Sequence, residues 1–224
     1  MAAAPAPSPL LTPPSAREDW VRAAVSAILR PYFAVWHQFA ITGREHLPSG
    51  GPLLTLFNHA SLLDPPALLL ADPYPSVITF AKASLFAVPF VGWFLRHMGA
   101  IPVERQGRDL ASLRIAVQAL RAGKIVGAAA EGRRTRSGRL EGVNPVLARL
   151  ALAARAPILP VGIVGTFAAL PPGARFPRRR PVAVHIGPTF RLDPRSSVPD
   201  AQRRISEAIA VLLPAQQQPL AVNG

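Results

Sequence analysis

Short apolar segments alternate with helical segments along most of the chain, and this alternation limits the fold more than any other sequence feature. Apolar spacing and start and stop signals indicate helices over 65–70, 90–97, 108–122, 144–154 and 199–213. Short apolar runs indicate strands over 52–57, 76–81, 100–103, 125–130, 157–165 and 182–186. Such repetition predicts an α/β fold, in which a central, mostly parallel or mixed sheet is flanked by helices. We expect this domain to span 42–213, followed by a flexible C-terminal tail over 214–224.

The N-terminal region precedes this alternation and differs from it in composition. Residues 1–15 are rich in proline and alanine, and we expect a flexible tail there. Residues 16–41 are expected to form an interfacial helical segment, with a helix over 16–30 that Pro31 ends or kinks. The aromatic rings of 32–41 fit either the membrane–water boundary or the protein's own core, and the sequence leaves both alternatives open.

The chain carries a formal net charge of +13. A charge of this size concerns binding partners rather than the fold, and it fits either nucleic acid or an anionic membrane. The sequence contains no zinc-ligand spacing or other nucleic-acid-binding signature, so no nucleic-acid partner is expected. A basic, non-enzymatic module that binds nucleic acid or a membrane is the distant alternative. The basic clusters 133–139 and 175–180 fit an anionic membrane surface, and a solvated basic loop is the alternative for each.

Cysteine is absent, which excludes disulfides, thiolate metal sites and a cysteine nucleophile. A membrane-spanning helix needs about 20 mostly apolar residues. The apolar stretch 20–41 is interrupted by Arg22, Arg30 and Pro31, and the stretch 83–95 is too short. If the protein meets a membrane, the sequence therefore favours one that lies on it over one that crosses it. We expect a peripheral or monotopic protein at the cytoplasmic face of the cell membrane.

The segment 58–64, NHASLLD, joins a predicted buried strand to a helix that begins near Pro65 and Pro66. In open α/β sheets, active sites gather where strands end in this way. A histidine at this place can take a proton from a hydroxyl, and a carboxylate bonded to its other ring nitrogen fixes the tautomer. We therefore interpret His59 and Asp64 as catalytic candidates; a structural, hydrogen-bonded histidine is the alternative. Five positions is not a same-face helical spacing, so their pairing requires a turn.

Arginines follow two further predicted strands. The segment 99–105, GAIPVER, ends in Arg105, and the segment 131–135, EGRRT, follows the apolar run 125–130. Glycine allows the backbone to approach a ligand closely, and arginine offers planar, bidentate contacts to phosphate. A single arginine is more often a solvated surface charge. Two arginines after two strands, in a chain with a His–Asp pair, predict an anion pocket beside a base.

In this order the motifs resemble those of the phospholipid and glycerol-phosphate acyltransferases, the bacterial lysophosphatidate acyltransferases in particular. The family's NHxxxxD block is similar to 58–64, and its EGTRS block is similar to 131–135. Its block of a short apolar strand ending in arginine is similar to 99–105, and its strand with an internal proline is similar to 156–163. The segment AKASLFAVPFVGW also resembles the family, and the resemblance covers the chain from about Gly43 to Gly187.

Two features depart from the family pattern. Ala129 and Ala130 stand where the family usually has an aromatic residue and a proline, and Arg133 replaces the usual threonine. Because Arg133, Arg134 and Arg136 lie close together, the motif alone leaves the phosphate ligand open among the three. Alignment with the family favours Arg134.

The resemblance implies a glycerol-3-phosphate acyltransferase-like fold and a reaction in which His59, oriented by Asp64, deprotonates the free hydroxyl of 1-acyl-glycerol-3-phosphate. The oxygen then attacks the thioester of acyl-CoA or acyl carrier protein, and phosphatidic acid is formed. No metal or cofactor is implied beyond that co-substrate. The same blocks are compatible with another lysophospholipid, glycerol-3-phosphate or a glycolipid as acceptor. By the same resemblance, the substrate-binding residues are Lys82, Arg105, Glu131, Gly132 and Arg134.

Overall fold

The computed structural model describes residues 16–74, 77–103 and 110–219. Within these ranges the strands are β1 (Ala40–Thr42), β2 (Leu53–Phe57), β3 (Val77–Lys82), β4 (Ala100–Val103), β5 (Ile125–Ala129), β6 (Ile158–Val164) and β7 (Ala183–Ile186). The helices are α1 (Ala16–His37), α2 (Asp64–Ala71), α3 (Val91–His97), α4 (Leu110–Arg121), α5 (Pro145–Ala154), α6 (Thr166–Ala169) and α7 (Val198–Ala210). The prediction of an α/β fold with a central sheet flanked by helices is confirmed.

The seven strands form one mixed sheet in the order β1-β7-β6-β2-β5-β3-β4. All neighbouring pairs are parallel except β6 and β7, which are antiparallel. β2 lies between β6 and β5, so that Leu56 is opposite Pro160 on one side and Ala128 on the other. Because β2 to β6 run in one direction, their carboxyl ends meet at one edge of the sheet, which we call the carboxyl edge.

Apolar side chains fill both faces of the sheet. Leu54 and Leu56 of β2 point into the core that α4, α5 and α7 cover, whereas Leu53 points into the core that α1 and α2 cover. A strand buried on both faces has apolar residues at nearly every position. This explains why β2 could be predicted from the sequence. Leu150 of α5 is 1% exposed, and replacing such a residue by alanine typically costs about 2–5 kcal/mol of folding free energy.

Helix α1 continues through Pro31, so of the two predicted outcomes, an end or a kink at this proline, the end is wrong. Proline has no N–H and removes one helical hydrogen bond. Burial of the following residues offsets this loss, because Phe33 and His37 are both fully buried. The His37 ring also lies 3.0 Å from the carbonyl oxygen of Arg180 and 3.2 Å from the hydroxyl of Tyr32.

The two sides of α1 differ in exposure. Val21 and Phe33 face the core, whereas the outward side carries large exposed apolar residues: Trp20, Ile28, Val35 and Trp36. Of the aromatic residues in 32–41, Phe33 packs inside the core and Trp36 is exposed, and a place for Trp36 at the membrane–water boundary stays a prediction. None of the described helices combines the length and the apolarity needed to cross a bilayer.

A short hydrogen-bonded junction ties α1 to the sheet. The N–H of Val182 donates to the carbonyl of His37 over 2.9 Å, and the N–H of Ala40 donates to the carbonyl of Val182 over 3.1 Å. The junction continues directly into β1, an edge strand that pairs with β7. β1 and α6 have three and four residues, and the sequence did not predict either of them.

Residues 214–219 lie within the predicted flexible tail 214–224, and the structure shows a 3-10 turn there. A 3-10 turn at Ala215–Gln217 brings the carbonyl of Gln217 to the N–H of Leu140, over 2.9 Å. The Gln218 side chain donates to the carbonyl of Leu213 over 2.9 Å. The predicted tails 1–15 and 220–224 lie outside the described residues.

Candidate active site

His59 follows β2 at the carboxyl edge, and Asp64 is the first residue of α2. The turn between them is closed by a hydrogen bond from the N–H of Asp64 to the carbonyl of Ser61, over 3.3 Å. This turn brings His59 Nδ1 to 2.8 Å from Asp64 Oδ2. The turn that the spacing of His59 and Asp64 requires for their pairing is therefore present in the structure.

The Asp64 carboxylate is fully buried and heavily hydrogen-bonded. Its Oδ2 accepts the backbone N–H groups of Ala60 and Ser61, each over 2.7 Å, in addition to the bond with His59 Nδ1. A carboxylate held in this way favours the tautomer of His59 with the proton on Nδ1. None of the described residues hydrogen-bonds to His59 Nε2, which leaves this atom able to accept a proton.

The EGRRT segment holds the backbone of His59 at both of its polar groups. The carboxyl oxygen Oε2 of Glu131 accepts the N–H of His59 over 3.2 Å. The N–H of Thr135 donates to the carbonyl of His59 over 2.8 Å. Glu131 and Thr135 are both buried, so these bonds are shielded from competition with water. The EGRRT segment therefore fixes the position of the His59 backbone.

Burial raises the pKa of Glu131 from its ordinary value of 4.5 to about 8, and the charges of Asp64 and Glu141 contribute in the same direction. The hydrogen bond from the N–H of His59 acts in the opposite direction. A carboxyl group with this pKa is mostly protonated at neutral pH. The second oxygen, Oε1, is buried and has no hydrogen-bond partner among the described residues.

Asn58 joins the turn that carries His59 to the neighbouring strand β6. Its Oδ1 accepts the N–H of Ile163 over 2.7 Å, and its Nδ2 donates to the carbonyl of Ile163 over 2.9 Å. The amide side chain thus satisfies both polar groups of one residue of β6 beyond the end of the β2–β6 ladder. These two hydrogen bonds explain why an asparagine stands directly before His59.

Gly132 occupies a position that other residues fit poorly. Its φ is +70°, and a Cβ atom there would lie 2.5 Å from Nδ2 of Asn144. Asn144 itself caps α5, because its side chain accepts the N–H of Val146 over 2.8 Å. The glycine allows the chain to turn directly after Glu131, so the structure gives it a conformational role in the site.

The three neighbouring arginines differ in their surroundings. Arg133 forms an ion pair with Glu141 over 2.7 Å. Arg134 is half-buried and Arg136 is exposed, and neither forms an ion pair with the described residues. Arg134 also directly precedes Thr135, which is bonded to His59. Which of the three arginines binds phosphate stays a prediction, and the motif alignment favours Arg134.

Of the two remaining predicted cations, Lys82 lies at the carboxyl edge, on the far side of β5 from His59. Lys82 is the last residue of β3 and is exposed. Lys82 pairs in register with Val103, the last residue of β4. Arg105 lies outside the described residues. β5 separates β2 from β3 in the sheet, so Glu131 lies between the strand ends that carry His59 and Lys82.

Two contributions to this site were missed from the sequence. Thr135 was part of the recognised EGRRT motif, but the motif did not indicate that its N–H holds His59. Ser61 is fully buried, and its hydroxyl donates to the carbonyl of Leu170 over 2.9 Å while it accepts the N–H of Leu63 over 3.2 Å. A small hydroxyl residue two positions after the histidine was the available signal.

Comparison with known proteins shows which family the chain matches. The acyltransferase family model matches residues 38–164, more than half of the chain. A 1-acyl-sn-glycerol-3-phosphate acyltransferase of Borreliella burgdorferi is 33% identical over 128 residues, which cover 56% of this chain and 51% of that protein. A chloroplastic 1-acyl-sn-glycerol-3-phosphate acyltransferase of Brassica napus is 30% identical over 138 residues, which cover 60% of this chain and 39% of that protein. The chain thus spans about half or less of the length of these curated relatives.

A solved structure has the same fold. The crystal structure of the 1-acyl-sn-glycerophosphate (LPA) acyltransferase PlsC from Thermotoga maritima matches with a TM-score of 0.73 and 24% sequence identity. The match covers 87% of this chain and 79% of that chain. The matched family region includes His59, Asp64 and the EGRRT segment. From the family model together with the site it encloses, the chain belongs to the acyltransferase family.

Proposed function

We propose that this protein is a 1-acylglycerol-3-phosphate O-acyltransferase of phospholipid biosynthesis. It would transfer a fatty acyl chain from acyl-CoA or acyl carrier protein to the free hydroxyl of 1-acyl-glycerol-3-phosphate, giving phosphatidic acid. The names of the relatives from Borreliella burgdorferi and Brassica napus support this acceptor. The observation that carries the proposal is the His59–Asp64 pair, 2.8 Å apart, at the edge where Lys82 and Arg134 lie without ion pairs to described residues.

The reaction uses His59 Nε2 as a general base. This atom takes the proton of the acceptor hydroxyl while the oxygen attacks the thioester carbonyl, and a new C–O bond forms. The tetrahedral oxyanion then collapses, the C–S bond breaks, and the thiolate of CoA or the carrier protein takes the proton from the imidazolium. Asp64 stabilises that imidazolium through Nδ1. General base catalysis of this kind contributes roughly 10²- to 10⁴-fold to the rate.

The phosphate of the acceptor is assigned to the cations of the carboxyl edge. Arg134 and Lys82 are the described candidates, and Arg105 is retained from the motif. Glu131 is proposed to place the glycerol, because its protonated Oε1 can donate a hydrogen bond to an acceptor oxygen. Gly132 allows the backbone of the same segment to approach the substrate closely.

The membrane is the proposed source of the lipid acceptor. The outward side of α1 exposes Trp20, Ile28 and Val35 by 55%, 72% and 68%. Tryptophan and aliphatic residues on one side of a helix fit the boundary between headgroups and acyl chains. We place the protein on the cytoplasmic face as a peripheral or monotopic protein, with basic residues toward anionic lipid.

Acyl transfer by the purified full chain tests the proposal directly. Radiolabelled acyl-CoA or acyl carrier protein is supplied with 1-acyl-glycerol-3-phosphate in mixed micelles, and phosphatidic acid is measured. His59→Ala is expected to lower kcat by roughly 10²- to 10⁴-fold. His185→Ala is the control, because His185 of β7 bonds to Thr42 of the edge strand β1 and lies apart from the site. Equal activity of His59→Ala and wild type would overturn the mechanism.

A panel of acceptors tests the substrate. The panel contains other lysophospholipids, glycerol-3-phosphate and a glycolipid, each compared by kcat/KM. Preference for 1-acyl-glycerol-3-phosphate supports the proposal. Preference for another acceptor would leave His59 as the proposed base, but the residues proposed to bind the rest of the acceptor would have to be assigned again.

A further inference from the structure

A second exposed apolar surface lies on the segment 83–97, between β3 and β4. It consists of a 3-10 turn, Ala83–Ala87, a short connection and helix α3. Single exposed apolar residues are ordinary on soluble proteins, whereas contiguous ones mark binding surfaces. The exposed fractions are 41% for Leu85, 47% for Val88, 87% for Phe90, 40% for Val91 and 47% for Trp93.

Phe90 is held outward by the local backbone. Its φ is +48° and its ψ is −50°, and the N–H of Val91 donates to the carbonyl of Pro89 across it. This γ-turn is a strained conformation for a bulky residue. Gly92 presses the start of α3 against the backbone of Phe86, where a Cβ atom would clash with the carbonyl oxygen. The strain is therefore retained in a tightly packed turn, a circumstance associated with functional positions.

The segment 83–97 adjoins the exposed side of α1. Helix α3 contacts α1 directly, so the two apolar surfaces belong to neighbouring elements. The stretches 20–37 and 77–97 contain no aspartate or glutamate, and their charged residues are Arg22, Arg30, Lys82 and Arg96. Arg22 is paired with Asp72 over 3.6 Å, so Arg30, Lys82 and Arg96 are the cations of these two stretches that can attract an anionic bilayer.

We propose that the segment 83–97 is a second membrane-inserting element, with Phe90 entering the boundary between headgroups and acyl chains of an anionic bilayer. The proposal rests on the lipid substrate of the proposed function, and it adds a contact beyond α1. The segment leaves the sheet at Lys82, the end of β3 at the carboxyl edge. Insertion next to this residue places the carboxyl edge, and with it His59, beside the lipid surface.

The fluorescence of Trp93 tests insertion without any measurement of activity. Trp20→Phe and Trp36→Phe together leave Trp93 as the only tryptophan of the full chain. The protein is mixed with vesicles of equal phosphatidylglycerol and phosphatidylcholine, with and without bromine on the upper acyl-chain carbons. We expect a blue shift, quenching by the brominated lipid and protection from iodide. Bound protein in which Trp93 stays accessible to iodide and unquenched by bromine would overturn the proposal.

The contribution of Phe90 is measured by vesicle sedimentation. Phe90→Ser is expected to weaken partitioning to the same vesicles roughly tenfold, because the large apolar side chain no longer inserts. Val211→Ser is the matched control, because Val211 is 77% exposed at the end of α7, on the opposite face of the sheet. Equal weakening by both variants, or none by Phe90→Ser, would contradict insertion at 83–97.

Two further measurements separate this proposal from its competitors. Acyl transfer to a monodisperse short-chain acceptor should be unchanged in Phe90→Ser, so loss of the proposed function and loss of membrane insertion are distinguishable. Sedimentation velocity without lipid tests whether the surface joins two copies of the chain. A dimer that Phe90→Ser dissociates would assign the surface to self-association and overturn the membrane proposal, whereas a monomer in both proteins supports it.

Discussion

The backbone N–H of His59 donates to the buried carboxyl group of Glu131 over an N–O distance of 3.2 Å. The two residues are 72 positions apart in the chain, and they meet because β2 and β5 are neighbours in the sheet. The bond makes the placement of the proposed base dependent on a group whose pKa is raised by burial.

Stability should therefore fall as the pH rises from about 4.5 to about 8. In this window Glu131 keeps its proton in the folded state, whereas the unfolded chain has lost it, since burial raises the folded pKa to about 8. The slope contributed by this one group is at most about 1.4 kcal/mol per pH unit. Glu131→Gln keeps an oxygen acceptor for the N–H of His59 and should flatten the dependence. Urea denaturation between pH 5 and 8 measures both proteins; parallel curves would contradict the raised pKa.

Asp64→Asn should lower kcat by roughly 10²- to 10⁴-fold. The amide can no longer stabilise a positive charge on His59, and its NH₂ group can reverse the ring tautomer. KM for both substrates should change far less than kcat. Asp193→Asn is the control, because Asp193 is exposed and, within the described part of the chain, its side chain bonds only to the N–H of Arg195. Similar kcat values for the two variants would refute the orienting role of Asp64.

Gly132→Ala should destabilise the fold by about 1–3 kcal/mol and reduce acyl transfer. The residue has a φ of +70° and faces Asn144 at close range, so both backbone strain and a clash result. Gly123→Ala separates the two effects, because Gly123 has a φ of +76° but open space around it. We expect the control to cost about 1 kcal/mol and to leave kcat unchanged. Chemical denaturation measures the loss of stability in both variants, and initial rates measure their acyl transfer. Equal losses of stability would show that the close approach of Gly132 to Asn144 does not contribute.

Arg134→Ala should raise KM for the phosphorylated acceptor roughly 10- to 100-fold, as expected for loss of a charge-assisted hydrogen bond. Arg133→Ala is the matched control, since its side chain is already paired with Glu141 and is 58% exposed. Exposed ion pairs contribute little to stability, so this variant should behave like wild type. A larger effect of Arg133→Ala would transfer the phosphate contact to Arg133.

The apolar pattern predicted the sheet because β2, β5 and β6 are buried on both faces and are therefore continuous apolar runs. The same information did not reveal β1, since a three-residue edge strand has no period to detect. A helix end at Pro31 was expected from a local rule, namely that proline disfavours the interior of a helix. The burial of Phe33 and His37 overrides this rule.

The motifs predicted which residues form the site but not how they hold one another. The turn between His59 and Asp64 followed from their spacing and from Pro65. The contacts of Glu131 and Thr135 with the backbone of His59 required the order of strands, which no local pattern contains. The different partners of Arg133 and Arg134 depend likewise on where Glu141 returns in the fold.

The hydrogen-bonded junction between His37 and Val182 has a consequence for motion at a lipid surface. Because it leaves no flexible linker between α1 and the sheet, the helix cannot act as a loose tether. With α1 and Phe90 both seated in the bilayer, tilting would be suppressed, and rotation about the bilayer normal would remain as the free rotation. The protein would then search for lipid acceptors by lateral diffusion in two dimensions, with its active site always presented at one depth.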